Sequence, residues 1–276
     1  MNKFSCVEGI FGVFGNPIFH SKSPYIHDFF SKKTNIKHIY RSYCIPLNNF
    51  DESMNDFFKN KGKGANITTP FKNKAFFFAD IVSEEAQISR SVNTLLKLRN
   101  GLIYGDNTDG KGLLYDLKRL NFIHKDNNIL IIGAGGAVYG IILSLFRFNC
   151  TVYIYNRTKS KALKIIKLFK KFGNIFFLNI NNFELIHFNL IIHATSLGIL
   201  GKYPKLPVKI VRKKTPCYDL FYSSKQTTPF LSWYSNNGGS SISDGIGMLI
   251  AQAAYSFKLW HGIKPNINYT INKLKI

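Results

Sequence analysis

Two rhythms of apolar and polar positions divide the chain, and the change falls near Thr108. Before it, short apolar runs are cut by turn residues. Gly9 to Phe14 is apolar and ends at Gly15-Asn16-Pro17, which predicts a buried strand. Ser23-Pro24 predicts a helix start, with Ser23 at the N-cap and Pro24 at the first helical position. His38 to Ile45 and Ala65 to Thr68 are further strands, the second stopped by Pro70, and Phe50 to Phe58 carry helical spacing. Val92 to Lys97 and Leu102 to Tyr104 flank Asn100-Gly101, the signal of a two-residue hairpin.

Beyond Asp106, strands alternate with helices: Asn128 to Ile132, Thr151 to Tyr155, Ile175 to Leu178 and Leu190 to His193 as strands, Ala137 to Phe148 and Lys159 to Phe172 as helices. That alternation predicts βαβ units on a parallel sheet. Gly245 to Trp260 is apolar nearly all round and reads as a buried helix. Ile129 to Phe146 lacks any charge, but its glycines follow a four-residue apolar run, which favours strand, tight turn and helix over a membrane span.

Composition excludes a disordered chain, since 45% of the 276 residues are hydrophobic and only 19% charged. The net charge of +22 raises a nucleic-acid or membrane surface. It is built from 30 Lys and only 7 Arg, beside 33 Ile, 27 Asn and 25 Phe. All four abundant types have codons of A and T alone, so drift in an AT-rich genome competes with a basic binding surface, where arginine would be favoured. Cys6, Cys44, Cys150 and Cys217 are too scattered for a zinc site or a disulfide framework and fit a reducing cytoplasm. Lys3 and a few apolar residues, interrupted by Glu8, do not make a signal peptide.

The chemistry concentrates in a few strings. Gly133-Ala134-Gly135-Gly136-Ala137 joins a strand to a helix, as a dinucleotide phosphate turn does, although a plain tight turn has the same form and Val138 stands at the third glycine position. The next strand ends in Asn156-Arg157-Thr158-Lys159-Ser160-Lys161, cationic where an NAD site carries a carboxylate. NADP is therefore the expected cofactor, with Arg157 the strongest candidate for its 2′-phosphate and the lysines open to being a solvated helix start. Ser21-Lys22-Ser23 offers two hydroxyls for a carboxylate, or ordinary capping. Asn66 to Lys72 ends a strand with polar residues and then a lysine, Asn93 interrupts an apolar strand, and Asp106 to Gly110 sits at the change of rhythm. There Lys72 could exchange a proton with a substrate while Asp109 positions it, or the two could form a structural ion pair. Gln252, a lone amide in an apolar helix, needs a backbone partner or a polar ligand.

Together, His20-Ser21-Lys22-Ser23-Pro24, Asn66 to Lys72, Gly105 to Gly110, Gly133 to Ala137, Asn156-Arg157-Thr158 and Asp244-Gly245-Ile246-Gly247-Met248 resemble the shikimate dehydrogenase family, in order and over nearly the whole chain. The resemblance implies an α/β protein of two domains. An N-terminal α/β substrate domain (1–108), completed by C-terminal helices (245–276), would enclose an inserted Rossmann-like NADP-binding domain (109–244). It implies that Ser21, Ser23, Thr68, Lys72, Asn93, Asp109, Tyr222 and Gln252 hold shikimate, with Lys72 the acid/base. It also implies that Glu84, Gly133, Ala134, Gly135, Gly136, Ala137, Asn156, Arg157, Thr158, Lys159, Ser160, Lys161, Leu220 and Gly245 contact NADP. Glu84, Tyr222, Leu220 and Gly245 rest on the resemblance alone. Val138 and Tyr139 stand where Ser-Arg is common, Leu220 where Met is frequent, and Lys161 where Arg-like residues occur.

The expected activity is NADP-dependent reduction of 3-dehydroshikimate to shikimate in aromatic amino-acid biosynthesis. A quinate/shikimate dehydrogenase is the near alternative and a basic nucleic-acid-binding protein the distant one. A small-molecule substrate, no metal, no nucleic acid, no membrane, and a monomer or homodimer complete the expectation.

Overall fold

The computed structural model describes residues 9–223 and 227–274. Lys3, Cys6 and Glu8, which entered the reading of the N-terminus and the cysteines, lie outside the described residues. In chain order the elements are β1 (Ile10–Gly15), α1 (Ser23–Thr34), β2 (Ile39–Cys44), α2 (Phe50–Lys59), β3 (Gly62–Ile67), α3 (Lys72–Phe78), β4 (Ile81–Val82), α4 (Glu84–Ser89), β5 (Thr94–Lys97), β6 (Ile103–Asp106) and α5 (Asp109–Arg119). There follow β7 (Asn128–Ile132), α6 (Gly136–Phe146), β8 (Thr151–Tyr155), α7 (Lys159–Phe169), β9 (Ile175–Phe177), β10 (Leu190–His193), β11 (Cys217–Asp219), α8 (Pro229–Asn236), β12 (Ile242–Ser243), α9 (Ile246–His261) and α10 (Ile267–Lys273).

The chain forms two compact units, one running to Gly112 and resuming at Leu249, the other spanning Leu113–Met248. Both changeovers fall inside helices, α5 and α9. Gly245 to Met248 go with the second unit for local reasons: the Gly245 amide bonds the Phe221 carbonyl, and the Met248 amide bonds the Tyr218 hydroxyl.

In the first unit the sheet order is β2-β1-β3-β5-β6-β4. Strands β1, β2 and β3 run parallel, while β5 and β6 add an antiparallel hairpin. Strands β1 and β3 are buried almost throughout, whereas β2 at the edge alternates toward solvent. Phe50, Met54, Phe57 and Phe58 fall on one face of α2 and pack with Phe14, Phe71, Val92 and Leu95. The α9 helix buries Ala251, Ala254, Phe257 and Trp260, and the Trp260 indole N–H donates to the Leu95 carbonyl at 2.9 Å. Gly64 permits that approach, since a Cβ there would come within 2.4 Å of the indole nitrogen.

Two local expectations change. The hairpin loop has three residues rather than two: Leu98 and Leu102 still pair, and Arg99-Asn100-Gly101 turns with Gly101 at φ +89°. That is a turn followed by a left-handed residue, which glycine allows without strain. Ser23 is not the N-cap of α1; Lys22 holds that position without a side-chain bond, and Ser23 is the first helical residue. The hydroxyl one step earlier, Ser21 Oγ, accepts the Ser23 amide at 3.3 Å, which leaves the buried Ser23 side chain for other partners.

The second unit is an all-parallel sheet ordered β12-β11-β10-β7-β8-β9. Counted from β9, its first three strands run outward one way and its last three the other, the doubly wound order whose switch point lies between β7 and β10. β7 and β10 are apolar runs buried almost throughout, as expected of central strands in a parallel sheet. The uncharged stretch 129–146 is strand, turn and helix, and no helix among the described residues is long and apolar enough to cross a membrane.

Candidate active site

Functional side chains gather at one place in each unit. In the first, Lys72 opens α3 directly after the Thr69-Pro70 turn that ends β3, and Asp109 opens α5. Lys72 Nζ and Asp109 Oδ2 are ion-paired, with the lysine side chain 15% and the aspartate 6% exposed. The other carboxylate oxygen, Asp109 Oδ1, accepts from Asn93 Nδ2 at 2.8 Å. Asn93 lies one residue before β5 and carries its pairing on to both neighbours: its amide bonds Asp106 O at the end of β6, and its carbonyl takes the Ile67 amide at the end of β3. Its Oδ1 accepts the Thr108 amide at 2.9 Å and the Thr94 hydroxyl at 2.8 Å. Asn93 Nδ2 also reaches Gln252 Oε1 at 3.3 Å. Gln252 Nε2 in turn donates to the Leu249 carbonyl, so the lone amide of α9 has a partner on each side.

A second tier supports this pair. Asn66 Nδ2 donates to Ser256 Oγ (3.0 Å), Thr94 Oγ1 (3.2 Å) and Asn93 O (3.1 Å), and Asn66 Oδ1 accepts the Tyr40 hydroxyl at 2.8 Å. Burial pushes the Tyr40 phenol well above its usual range against an opposing hydrogen bond with Ser23. Tyr40 therefore keeps the proton that it donates to Asn66. Thr68, half-buried, ends the same strand with its amide on Phe14 O. The structure thus brings Lys72, Asp109, Asn93 and Gln252 into one hydrogen-bonded cluster. It places Ser21 and Ser23 at the start of α1 and Thr68 just beyond the end of β3. Thr94, Ser256 and Tyr40 were missed by sequence reasoning; the spacing of Gln252 and Ser256, four residues apart on α9, was the one signal available for Ser256. Glu84 is exposed at the start of α4 in this unit.

In the second unit Gly133 ends β7 at φ +126°, and a Cβ there would stand 2.7 Å from the Ala194 carbonyl oxygen, so only glycine makes this turn. At Gly136 a Cβ would meet nothing, and at Gly135 it would only graze Ala194 O at 3.9 Å. Gly135 caps α6 without any side-chain bond, which leaves first-turn amides and the positive helix end beside open space. That cradle fits a pyrophosphate. Val138 is fully buried and Tyr139 leans on Phe169, so neither adds a charge to it.

Strand β8 ends at Tyr155, and Arg157 and Thr158 follow it in exposed positions. Asn156 Nδ2 donates to the Thr158 carbonyl at 2.9 Å and shapes this corner. Lys159 leans over the Phe177 ring at 5.2 Å, while Ser160 and Lys161 are exposed on the first turn of α7. An exposed arginine at the end of the second strand, with no carboxylate beside it, suits the 2′-phosphate of NADP. Leu220, Tyr222 and Gly245 also lie in this unit; the Leu220 amide bonds His193 O, and a Cβ on Gly245 would collide with Leu220 O at 2.3 Å.

Comparison with known proteins agrees with this layout. A model of the shikimate dehydrogenase substrate binding domain matches residues 13–95, one of the shikimate/quinate 5-dehydrogenases matches 117–198, and one of the shikimate 5′-dehydrogenase C-terminal domain matches 245–275. The chain is 52% identical over 266 residues to the shikimate dehydrogenase (NADP(+)) of Buchnera aphidicola subsp. Schizaphis graminum, covering 96% of this chain and 97% of that protein. Among solved structures it is similar to an Ael1 enzyme from Pseudomonas putida, with a TM-score of 0.88, 35% identity and coverage of 98% and 99% of the two chains. It is also similar to the shikimate 5-dehydrogenase of Thermus thermophilus in complex with NADP(H) and shikimate, with a TM-score of 0.84, 29% identity and coverage of 95% and 97%.

Proposed function

The chain belongs to the shikimate dehydrogenase family, and from that premise we propose that it is an NADP-dependent oxidoreductase interconverting 3-dehydroshikimate and shikimate in aromatic amino-acid biosynthesis. The observation that carries the reading is the Lys72–Asp109 pair, nearly buried and oriented by Asn93 and Gln252. NADPH, when bound, supplies the hydride. The protein manages the proton. In reduction Lys72 Nζ gives a proton to the substrate's carbonyl oxygen, and in oxidation it takes one from the corresponding hydroxyl. Asp109 orients the ammonium and accepts from a ring hydroxyl, and Asn93 holds the carboxylate in place. Ser21 and Ser23 anchor the substrate carboxylate, with Thr68, Tyr222 and Gln252 completing the contacts.

The glycine turn at 133–137 cradles the pyrophosphate, and Arg157 with Lys161 takes the 2′-phosphate, with Asn156, Thr158, Lys159 and Ser160 shaping that pocket. Glu84, Leu220 and Gly245 complete the cofactor contacts. The same reading assigns residues 1–108 and 245–276 to substrate and 109–244 to NADP, in a cytoplasmic monomer or homodimer. The buried thiols Cys150 and Cys217 are compatible with a reducing compartment.

The test is reduction of NADP with shikimate and with quinate as separate substrates. Turnover of shikimate is the expected result; turnover of quinate alone would reassign the ring, and turnover of neither would overturn the activity.

A further inference from the structure

Thr94 opens β5 directly across from Asn66 of β3, is fully buried, and has no part in the mechanism proposed above. Three polar side chains converge on its hydroxyl oxygen: Asn66 Nδ2 at 3.2 Å, Ser256 Oγ at 2.8 Å and Asn93 Oδ1 at 2.8 Å. Asn93 reaches Asp109 Oδ1 through its own Nδ2 at 2.8 Å, and Asp109 is the ion-pair partner of Lys72. We infer that Thr94 is a positioning residue for the acid–base pair: its hydroxyl holds the Asn93 side chain with the amide N–H, rather than the carbonyl, turned to Asp109.

Two backbone groups set the direction of this path, and no titratable group takes part in setting it. The Thr108 amide, 2.9 Å from the Asn93 side chain, can only donate, so the atom it meets is Oδ1 and the Asn93 NH2 faces the carboxylate. The Asn93 carbonyl, 3.1 Å from the Asn66 side chain, can only accept, so the atom it meets is Nδ2. Asn66 then turns its other amide proton toward Ser256 Oγ at 3.0 Å and Thr94 Oγ1. A hydroxyl carries one proton and rotates to suit its neighbours. Asn93 Oδ1 has no proton to give, so Thr94 supplies the one in their 2.8 Å contact and leaves its lone pairs to Asn66 and Ser256.

Turning the Asn93 amide over would set its oxygen against the Asp109 carboxylate and its NH2 against the Thr108 N–H. Thr94 adds to that cost, because with its lone pairs taken it has only a proton to offer Asn93. Without the hydroxyl, Asn93 Oδ1 keeps the Thr108 amide and hydroxyl, 2.9 and 3.2 Å away, and its hold on Asp109 loosens. The other neighbours lose little: Asn66 Nδ2 keeps Ser256, and Ser256 keeps the Gln252 carbonyl at 3.1 Å. Valine, of the same shape as threonine, therefore removes the bond to Asn93 while Asn66, Asn93 and Ser256 each retain a partner.

The inference rests on the reading of Lys72 and Asp109 as the acid–base pair, and of its two readouts one needs that reading and one does not. On full-length wild type, Thr94→Val and Thr94→Ser, hydrogen exchange of the Asn93 side-chain amide would be followed by NMR and shikimate oxidation by NADPH absorbance. Loss of one neutral hydrogen bond predicts, in Thr94→Val, amide exchange faster and kcat lower by roughly 3- to 10-fold each, with KM for NADP changed less than about 2-fold. Thr94→Ser, which restores the hydroxyl, is expected to recover most of both. In a Lys72→Met background Thr94→Val should lower kcat no further, because the hydroxyl acts through the pair that Lys72 completes. An equal loss in both backgrounds would reduce Thr94 to a structural role and overturn the inference, as would unchanged exchange in Thr94→Val. Should valine unfold the protein, Thr94→Ala, which empties the position without crowding it, takes the same measurements. Wild type that leaves shikimate unoxidised overturns the activity, while exchange of the Asn93 amide still decides whether Thr94 holds it.

Discussion

Replacing Lys72 by methionine removes the proposed proton carrier while keeping most of the side chain's volume. In the native protein Lys72 Nζ is the cationic partner of a carboxylate that is 6% exposed. Asp109 would keep the Asn93 amide at 2.8 Å on its other oxygen. Stripping a buried pair of one partner costs about 3–5 kcal/mol. The retained donor and the 15% exposure of the lysine reduce that here to about 1–3 kcal/mol. Such a loss leaves a domain of ordinary stability folded. Catalysis should suffer far more, because general acid–base transfer contributes about 10²–10⁴-fold. The expected outcome of Lys72→Met is therefore kcat down by about 10²–10⁴, KM for shikimate changed by less than about 5-fold, and NADPH affinity unaltered. Steady-state rates followed by NADPH absorbance, with a urea midpoint for each protein, separate the two effects. A variant within about tenfold of wild-type kcat would show that Lys72 is only a structural partner of Asp109.

Three further outcomes follow from the geometry. Arg157→Ala should weaken NADPH by at least about tenfold while hardly affecting NADH, because only the former carries the 2′-phosphate; equal losses would place that phosphate elsewhere. Asn93→Ala strips the buried Asp109 of a donor and leaves the Thr108 amide unpaired, which predicts about 2–5 kcal/mol of lost stability by urea titration, together with reduced kcat. A loss under about 1 kcal/mol would mean that water replaces the side chain. The third concerns the buried imidazole row of the first unit, where His38 lies 3.1 Å from His27 and 2.9 Å from His261. Burial pushes His27 down to about 3 and His261 to about 4, and His38 falls as well through burial and its two neighbours. Folded-state values below the unfolded 6.5 mean that stability is complete above pH 6.5 and drains away as pH falls toward 4. At pH 5 the loss is about 2 kcal/mol per histidine. The urea midpoint should drop accordingly, less steeply in His27→Phe, and a flat profile between pH 7 and 5 would refute the argument.

Legibility differed between the parts of the chain for identifiable reasons. The boundaries of β7, β8 and β10 matched the expected ones residue for residue: β7 and β10 are buried almost throughout, and β8 alternates regularly between buried and half-buried positions. The short strands β4, β11 and β12 and the helices α3, α4, α5 and α8 went unread. Two-residue strands carry no period, and the polar start of α5 is occupied by site residues rather than by a helical pattern. In the site, Lys72 and Asp109 were legible as a lysine and a carboxylate near the change of rhythm. The tie of Asp109 to Asn93 was not, because it depends on the register in which β5 pairs with β6 and brings Asn93 beside Thr108 and Asp109.

What the sequence determined by itself was local chemistry and periodicity: a glycine-bearing strand-to-helix turn, a cationic end to the next strand, and a pair of serines at a helix start. These depend on residue type and spacing within a few positions, which the chain displays directly. Only the tertiary structure decided which polar side chains share one buried space. Asn66, Thr94 and Ser256 meet because β3, β5 and α9 pack together, and Asp219 reaches His193 because β10 and β11 are neighbours. Burial then gives those pairings their force, since a polar group removed from water must find its partner within the fold.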